Sequence, residues 1–169
     1  YELLRQTNKA LVESIGLPFG LTHSEYKFYK GEFYLIEAGA RGGGSNLSGK
    51  IVPYMSGIDN YAYLINEALG NEVDEESLKN LSLPRERCVV MRFFDFGEGI
   101  VKEVHGKEYL QKHENMIDFQ LEVKTGDKLE NPKYGRLRPG HFIVGAETYE
   151  KAQKVAEDIL KHVYVEFEE

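Results

Sequence analysis

Glu25 and Glu37 are the side chains whose types and spacing point most directly to chemistry. Each lies in an alternating, strand-like run, and Lys30-Gly31 between the runs reads as a short turn, so the two runs form a β-hairpin. In such a hairpin, residues whose numbers sum to about 61 or 62 face one another, which pairs Glu25 near Glu37. Two carboxylates on neighbouring strands offer oxygen ligands to a hard divalent cation such as Mg²⁺. Apolar neighbours (Tyr26, Phe28, Leu35, Ile36) raise the cost of leaving those carboxylates unpaired. The plainer reading is a half-exposed hairpin that shows two acids to water, and alternation alone does not separate the two.

The segment after the second strand adds to the first reading. Gly39-Ala40-Arg41-Gly42-Gly43-Gly44-Ser45-Asn46 places bare backbone N–H groups beside Arg41, a planar cation suited to bidentate contact with phosphate or carboxylate. Glycine loops are often only connectors. Two acids, an arginine and a possible backbone nest so close together suggest instead a metal-bridged anionic substrate. Ser45 and Ser48 have hydroxyls small enough to meet a substrate carboxylate there. His23, two residues before Glu25, points to the same strand face and is a candidate supporting contact to the metal ligands.

The elements that must position these residues are legible. Leu4, Leu11 and Ile15 have helical spacing over Glu2 to Ser14, and Gly16 and Pro18 stop that helix. The hairpin strands run from Leu21 to Tyr29 and from Glu32 to Ala38. Ile58, Ala62, Ile65, Ala68 and Leu69 mark an amphipathic helix over Ile58 to Leu69, closed by Gly70-Asn71. Asn71 to Arg87 is polar and acidic, contains Pro84 and reads as a linker, with Glu72 to Glu76 a solvated face. A strand over Arg87 to Phe96 follows, and Gly97-Glu98-Gly99 turns the chain into a partner strand over Gly99 to His105. Strands around Ile117 to Lys124 and His141 to Ala146 complete the sheet. Ala152, Val155, Ala156, Ile159, Leu160 and Val163 then define a last helix with Thr148 at its N-cap.

Composition sets outer limits. The chain has 169 residues, 41% hydrophobic and 29% charged, which fits one globular domain or two small ones sharing a core. Seventeen glycines are a mild excess and predict several tight turns. A net charge of −7 argues against a nucleic-acid partner held by phosphate contacts. No apolar run approaches the length of about 18 residues that a bilayer requires, so no membrane partner is expected. Cys88 is the lone cysteine and cannot form an internal disulfide, which points to a reducing compartment, the cytoplasm. Beside Val89 and Val90, it reads as core packing. His105, His113, His141 and His162 lack the spacing of a zinc site, so no transition metal is expected. Arg136 and Arg138 lie in a Gly/Pro-rich loop and either reach a substrate cleft or decorate a turn. The chain opens without Met or a signal-like segment and reads as a piece of something longer.

Gly16-Leu17-Pro18-Phe19-Gly20-Leu21-Thr22-His23-Ser24-Glu25-Tyr26-Lys27, followed by Tyr34-Leu35-Ile36-Glu37-Ala38-Gly39-Ala40-Arg41-Gly42-Gly43-Gly44, resembles the C-terminal half of an ATP-grasp domain, of the carboxylate–amine ligase and carbamoyl-phosphate synthase-like superfamily. There an "H-x-E-(Y/F)" element precedes an "E-x-N-x-R" element. Ser56-Gly57-Ile58-Asp59 and the helix ending Ala68-Leu69-Gly70 are similar to the family's next segment. Gly99-Ile100-Val101, Gly106-Lys107-Glu108, Arg138-Pro139-Gly140 and Thr148-Tyr149-Glu150-Lys151-Ala152 resemble the small C-terminal domain of its amino-acid and dipeptide ligases.

The resemblance implies an α+β fold: residues 1–84 as the antiparallel-sheet C-terminal subdomain on the Mg-ATP phosphate side, and residues 85–169 as a small C-terminal α+β domain. It implies ATP as co-substrate, Mg²⁺ (or Mn²⁺) held by Glu25 and Glu37, and Arg41 as the catalytic phosphate contact. Gly42, Gly43, Gly44 and Ser45 would line the substrate and phosphates, with His23 and Asn46 in support. Gly39 stands where the family has a further Mg²⁺ ligand, Asn, so water or Asn46 would fill that coordination site. The family's N-terminal half has no counterpart here, which implies that it is a partner for the chain and that the chain alone does not turn over. The function implied is a carboxylate–amine or carboxylate–thiol ligase acting on a small carboxylate through an acyl-phosphate. A carboxylase of the carbamoyl-phosphate or biotin type, and a non-catalytic remnant used for binding or dimerisation as a homodimer, are the alternatives.

Overall fold

The structure, a computed structural model, describes residues 1–71, 87–130 and 138–168. The acidic face at Glu72 to Glu76, Pro84 and Arg136 fall outside the described residues. The chain divides into two compact units, Tyr1–Leu83 and Pro84–Glu169.

The first unit opens with helix α1 (Glu2–Ile15), which ends where Gly16 turns left-handed at φ 66° and donates its N–H to the Glu13 carbonyl. Strands β1 (His23–Tyr29) and β2 (Glu32–Gly39) form an antiparallel hairpin. Its two-residue turn has φ 49° at Lys30 and 85° at Gly31, the positive pair that matches the right-handed twist of the flanking strands. A π-helical turn (Leu47–Ile51) runs into the short helix α2 (Val52–Ser56); the sequence reading did not anticipate either. Helix α3 covers Asn60–Ala68, and the Asp59 carboxylate caps it by accepting from the Tyr61 and Ala62 amides. That cap is why the helix begins two residues later than the apolar period suggests: Ile58 lies before the cap.

The second unit contains the core. Strands β3 (Cys88–Phe93), β5 (Met116–Leu121) and β7 (Gly140–Ala146) form an antiparallel sheet in the order β3-β7-β5. Helix α5 (Tyr149–His162) packs on it with Ala152, Ala156 and Ile159 fully enclosed, and Thr148 caps it by accepting the Lys151 amide. Cys88 is half-buried against this core, as a free thiol. Strand β5 stops early because the Asp127 carboxylate takes the Lys124 N–H and turns the chain. Gly140 begins β7 where a Cβ would stand 2.1 Å from the Gln120 carbonyl oxygen, so only glycine fits.

One expected pairing is corrected. Strand β4 (Gly99–His105) is not the hairpin partner of β3; it pairs with β6 (Lys128–Leu129) on one side and β8 (Tyr164–Phe167) on the other. After Phe93 the chain is drawn into the core. Phe94 is 1% exposed, stacks on Phe96 at 5.3 Å and packs against Phe142 at 5.2 Å. Burying two aromatic rings outweighs the ladder bonds that a direct hairpin would gain. Helix α4 (Lys107–Lys112) and strands β6 and β8 were likewise not anticipated; α4 is too short to display a helical period.

No described helix is long and apolar enough to cross a membrane.

Candidate functional site

The site begins with a slip in the hairpin ladder. Near the turn, paired residues run Tyr29↔Glu32, Phe28↔Phe33, Lys27↔Tyr34 and Tyr26↔Leu35; beyond a bulge between Glu25 and Tyr26 the pairs are Glu25↔Glu37, Ser24↔Ala38 and His23↔Gly39. Ile36 is the extra residue. Without the bulge Glu25 would face Ile36, and the two carboxylates would lie on opposite faces. The bulge therefore brings the acids together.

His23, two residues from Glu25 on the same face, completes a cluster. One ligand atom from each of His23, Glu25 and Glu37 lies within 4.8 Å of the others. His23 Nε2 is 3.3 Å from Glu25 Oε1, so the imidazole orients that carboxylate. Arg41 Nη2 lies 3.5 Å from Glu37 Oε1, and Arg41 Nη1 donates to the Gly42 carbonyl at 3.1 Å. Two carboxylates directly opposite repel one another. Arg41 and His23 provide partial compensation from the protein itself. Both carboxylates remain about half exposed and so are accessible to an ion from solvent. The donor set, two carboxylates with an imidazole against one of them, fits a hard divalent cation on the oxygens.

The glycine loop is built for close approach rather than for left-handed backbone. Neither Gly42, Gly43 nor Gly44 has positive φ; the residues that do are Ser45 (51°) and Asn46 (60°), the latter opening the π-helical turn. A Cβ on Gly42 would stand 2.8 Å from Ser48 Oγ, and one on Gly43 would stand 3.0 Å from His23 Nδ1. Bare backbone at these two positions lets the loop run against both the buried Ser48 and His23. Gly44 faces open space.

Ser48 has a different task from the substrate contact read in the sequence. It is 6% exposed, and its hydroxyl accepts the Gly43 N–H at 2.7 Å. Its carbonyl accepts the Asn60 side-chain amide at 3.2 Å, tying the loop to α3. The Gly43 amide is thus engaged within the loop. At Gly39, a Cβ would meet the Arg41 side chain at 3.3 Å: the arginine stem folds over the position where the resemblance places Asn.

The second unit holds features that sequence reasoning placed differently or missed. Arg138 stacks over the Phe93 ring at 4.5 Å and, with Glu122 and His141, lines a cavity of about 200 Å³. His105, one of the four histidines whose spacing shows no zinc site, joins Glu103 and Glu166 in a cluster of its own. Residues this far apart meet only through the β4–β8 pairing, and no spacing in the sequence announces it. Between α4 and α5, the Tyr109 hydroxyl donates to Asp158, and its ring stacks on His162 at 4.3 Å. That hydrogen bond raises the Tyr109 pKa and holds Asp158 below the ordinary carboxylate value.

Comparison with known proteins identifies the fold. Residues 92–168 match the family described as L-amino acid ligase C-terminal domain 2. No curated protein matches the sequence. Among solved structures, the chain is similar to the L-amino acid ligase of Bacillus licheniformis (21% identity, TM-score 0.78, covering 99% of this chain and 43% of that one). It is also similar to phosphoribosylglycinamide synthetase of Anaerococcus prevotii (18% identity, TM-score 0.83, 99% and 42%). A third likeness is to the biotin carboxylase domain of the 2-oxoglutarate carboxylase of Hydrogenobacter thermophilus, solved as a dimer with MgADP, ADP and bicarbonate (16% identity, TM-score 0.65, 96% and 36%). The chain therefore spans less than half the length of each of these structures. Its α+β fold is that of the C-terminal part of ATP-grasp enzymes.

Proposed function

We propose that this chain, a C-terminal ATP-grasp segment by fold, supplies the Mg²⁺ and phosphate ligands of an ATP-dependent carboxylate–amine ligase. The observation that carries the reading is the bulged hairpin, which sets Glu25 opposite Glu37 with Arg41 four residues further on. Residues 1–84 would be the phosphate-side subdomain and residues 85–169 the small C-terminal domain. In this reading Glu25 and Glu37 would hold Mg²⁺ (or Mn²⁺), which would supply positive charge against the ATP phosphates. His23 keeps the Glu25 carboxylate turned toward the ion. Arg41, which pairs with Glu37 at 3.5 Å, would be available to the γ-phosphate where a bound cation would neutralise that carboxylate.

The substrate carboxylate attacks the γ-phosphorus to give an acyl-phosphate and ADP. Arg41 and the loop at Gly42, Gly43, Gly44 and Ser45 stabilise the charge that develops. An amine then displaces phosphate and forms the amide. The protein's part is positioning and electrostatics. The family match in the second unit favours an amino acid as the carboxylate over the bicarbonate of the carboxylase alternative.

A second half of the clasp is part of the proposal. Among the described residues, every buried hydrophobic side chain lies between Val90 and Val163, so the first unit contributes none. Tyr34 and Leu35, successive residues of the regular ladder and so on opposite faces of the hairpin, are both exposed, with Phe28, Ile36, Ile65 and Leu69 also exposed. A two-stranded hairpin with both faces open is marginal in water. An N-terminal ATP-grasp half would cover such a surface.

The test is phosphate release from Mg-ATP by a polypeptide that joins this chain to an N-terminal ATP-grasp half, across a panel of amino acids. Release that needs both a carboxylate and an amine supports the ligase. Release driven by bicarbonate would instead favour the carboxylase, and failure to bind Mg-ATP would leave the non-catalytic remnant.

A further inference from the structure

Strands β4 and β8 run antiparallel with a slip between Val101 and Glu103, and the slip sets Glu103 directly opposite Glu166 and His105 opposite Tyr164. Two carboxylates opposed on a ladder are destabilising unless something positive lies between them. What lies nearest is His105. Its ring is held in place by stacking on Tyr164 at 4.6 Å and 18°. Its Nε2 atom is sealed from solvent and has no hydrogen-bond partner. That nitrogen stands 3.4 Å from Glu166 Oε1 and 3.8 Å from Glu103 Oε2, and one ligand atom of each residue lies within 4.8 Å of the others.

A sealed nitrogen without a partner costs free energy, and so does a pair of opposed acids. One divalent cation at the centre would answer both. Tetrahedral coordination with bonds of about 2.0–2.1 Å spaces its donors about 3.3 Å apart, close to the two distances that the imidazole already makes. We infer that Glu103, His105 and Glu166 form a binding site for a zinc-type divalent cation that clips the C-terminal strand β8 to β4. An imidazole with two carboxylates suits zinc or manganese, whereas magnesium and calcium prefer oxygen donors alone. The site lies in the second unit and uses none of the residues proposed to hold Mg-ATP, so it stands whether or not the ligase reading does. Lys102 Nζ, 3.8 Å from Glu166 Oε2, competes with the ion for that carboxylate.

The experiment is zinc titration of the 169-residue chain carrying Glu25→Gln and Glu37→Gln, which silences the other metal-ligand cluster. Uptake is followed by calorimetry and by the histidine Nε2 signals in NMR. One equivalent is expected, with a shift at His105 Nε2. Glu103→Gln and Glu166→Gln should each weaken binding by about 10-fold or more. Lys102→Ala should tighten it several-fold. Both glutamate side chains are substantially exposed, at 62% and 45%, so these variants keep the fold even if His105→Gln does not. Thermal melts give an independent readout. Without metal, Glu103→Gln should melt no lower than the parent, because it removes a like-charge pair; with zinc the order should reverse. No saturable uptake, or uptake that persists with Glu103, His105 and Glu166 all replaced, overturns the inference.

Discussion

Replacing Glu37 by Gln separates a metal-ligand role from a structural one, because the structure assigns very different magnitudes to the two. In the hairpin, Glu37 makes one ion pair, with Arg41 at 3.5 Å, and both side chains are more than half exposed. Pairs of that kind contribute between zero and about 1 kcal/mol. Against this, Glu37 stands directly across from Glu25, a like-charge pairing that costs on the order of 0.2–1 kcal/mol. The two effects nearly cancel, so Glu37→Gln should shift the melting temperature by only a few degrees in either direction. Its effect on turnover should be large. A carboxylate that holds the ion on the transferring phosphate is a preorganised electrostatic contact, and losing one such contact costs about 100-fold or more in kcat. The assay is phosphate release from Mg-ATP by the polypeptide that includes the N-terminal half, with thermal melts of the same samples. A folded variant that turns over within a few-fold of the parent would refute the assignment of Glu37 to the metal.

Three further outcomes are expected. Gly39→Asn places a side chain where a Cβ meets the Arg41 stem at 3.3 Å, and the exposed arginine can move aside; Mg²⁺ binding measured by calorimetry should become several-fold tighter as an additional oxygen ligand is supplied. Gly42→Ala drives a Cβ to within 2.8 Å of the buried Ser48 Oγ, so the loop must shift at an overpacking cost of about 1–3 kcal/mol, read as lost affinity for Mg-ATP and a lower melting temperature. Tyr109→Phe removes the hydrogen bond that depresses the Asp158 pKa. The depressed carboxylate stabilises the fold above its ordinary value of 3.8, and that stability is lost as pH falls through the lower folded value; urea melts below pH 3.8 should show a shallower acid loss in Tyr109→Phe than in the parent.

Local signals were legible and long-range ones were not. The helix over Tyr149–His162, its Thr148 cap and the Lys30-Gly31 turn all follow from interactions within a few residues, and the sequence displays them. The opposition of Glu25 and Glu37 was legible only to within one residue, because the ladder changes register at Ile36 and nothing in an alternating strand marks where a bulge falls. The true neighbours of β4 could not be read. Proximity in sequence favours a hairpin with β3, and the competing burial of Phe94 against Phe142 is visible only once the core is assembled. The glycine loop was recognised for its composition, but its reason differs: Gly42 and Gly43 are bare because Ser48 and His23 press against them.

The two units also divide the energetic work unequally, and that division bears on function. The second unit encloses Phe94, Leu110, Phe142, Ile143, Val144 and Ile159 almost completely and has the core of a self-sufficient fold. The first unit carries the proposed catalytic groups on a hairpin whose apolar side chains face solvent on both sides. If an N-terminal half covers that hairpin, the surface that docks the lid is the same strand pair that presents Glu25 and Glu37 to the ion. Closing over ATP would then bury apolar area and bring together the carboxylates, the metal and the phosphates in a single step. The binding free energy of the clasp would thus be spent on desolvating the charges that the reaction needs to be close.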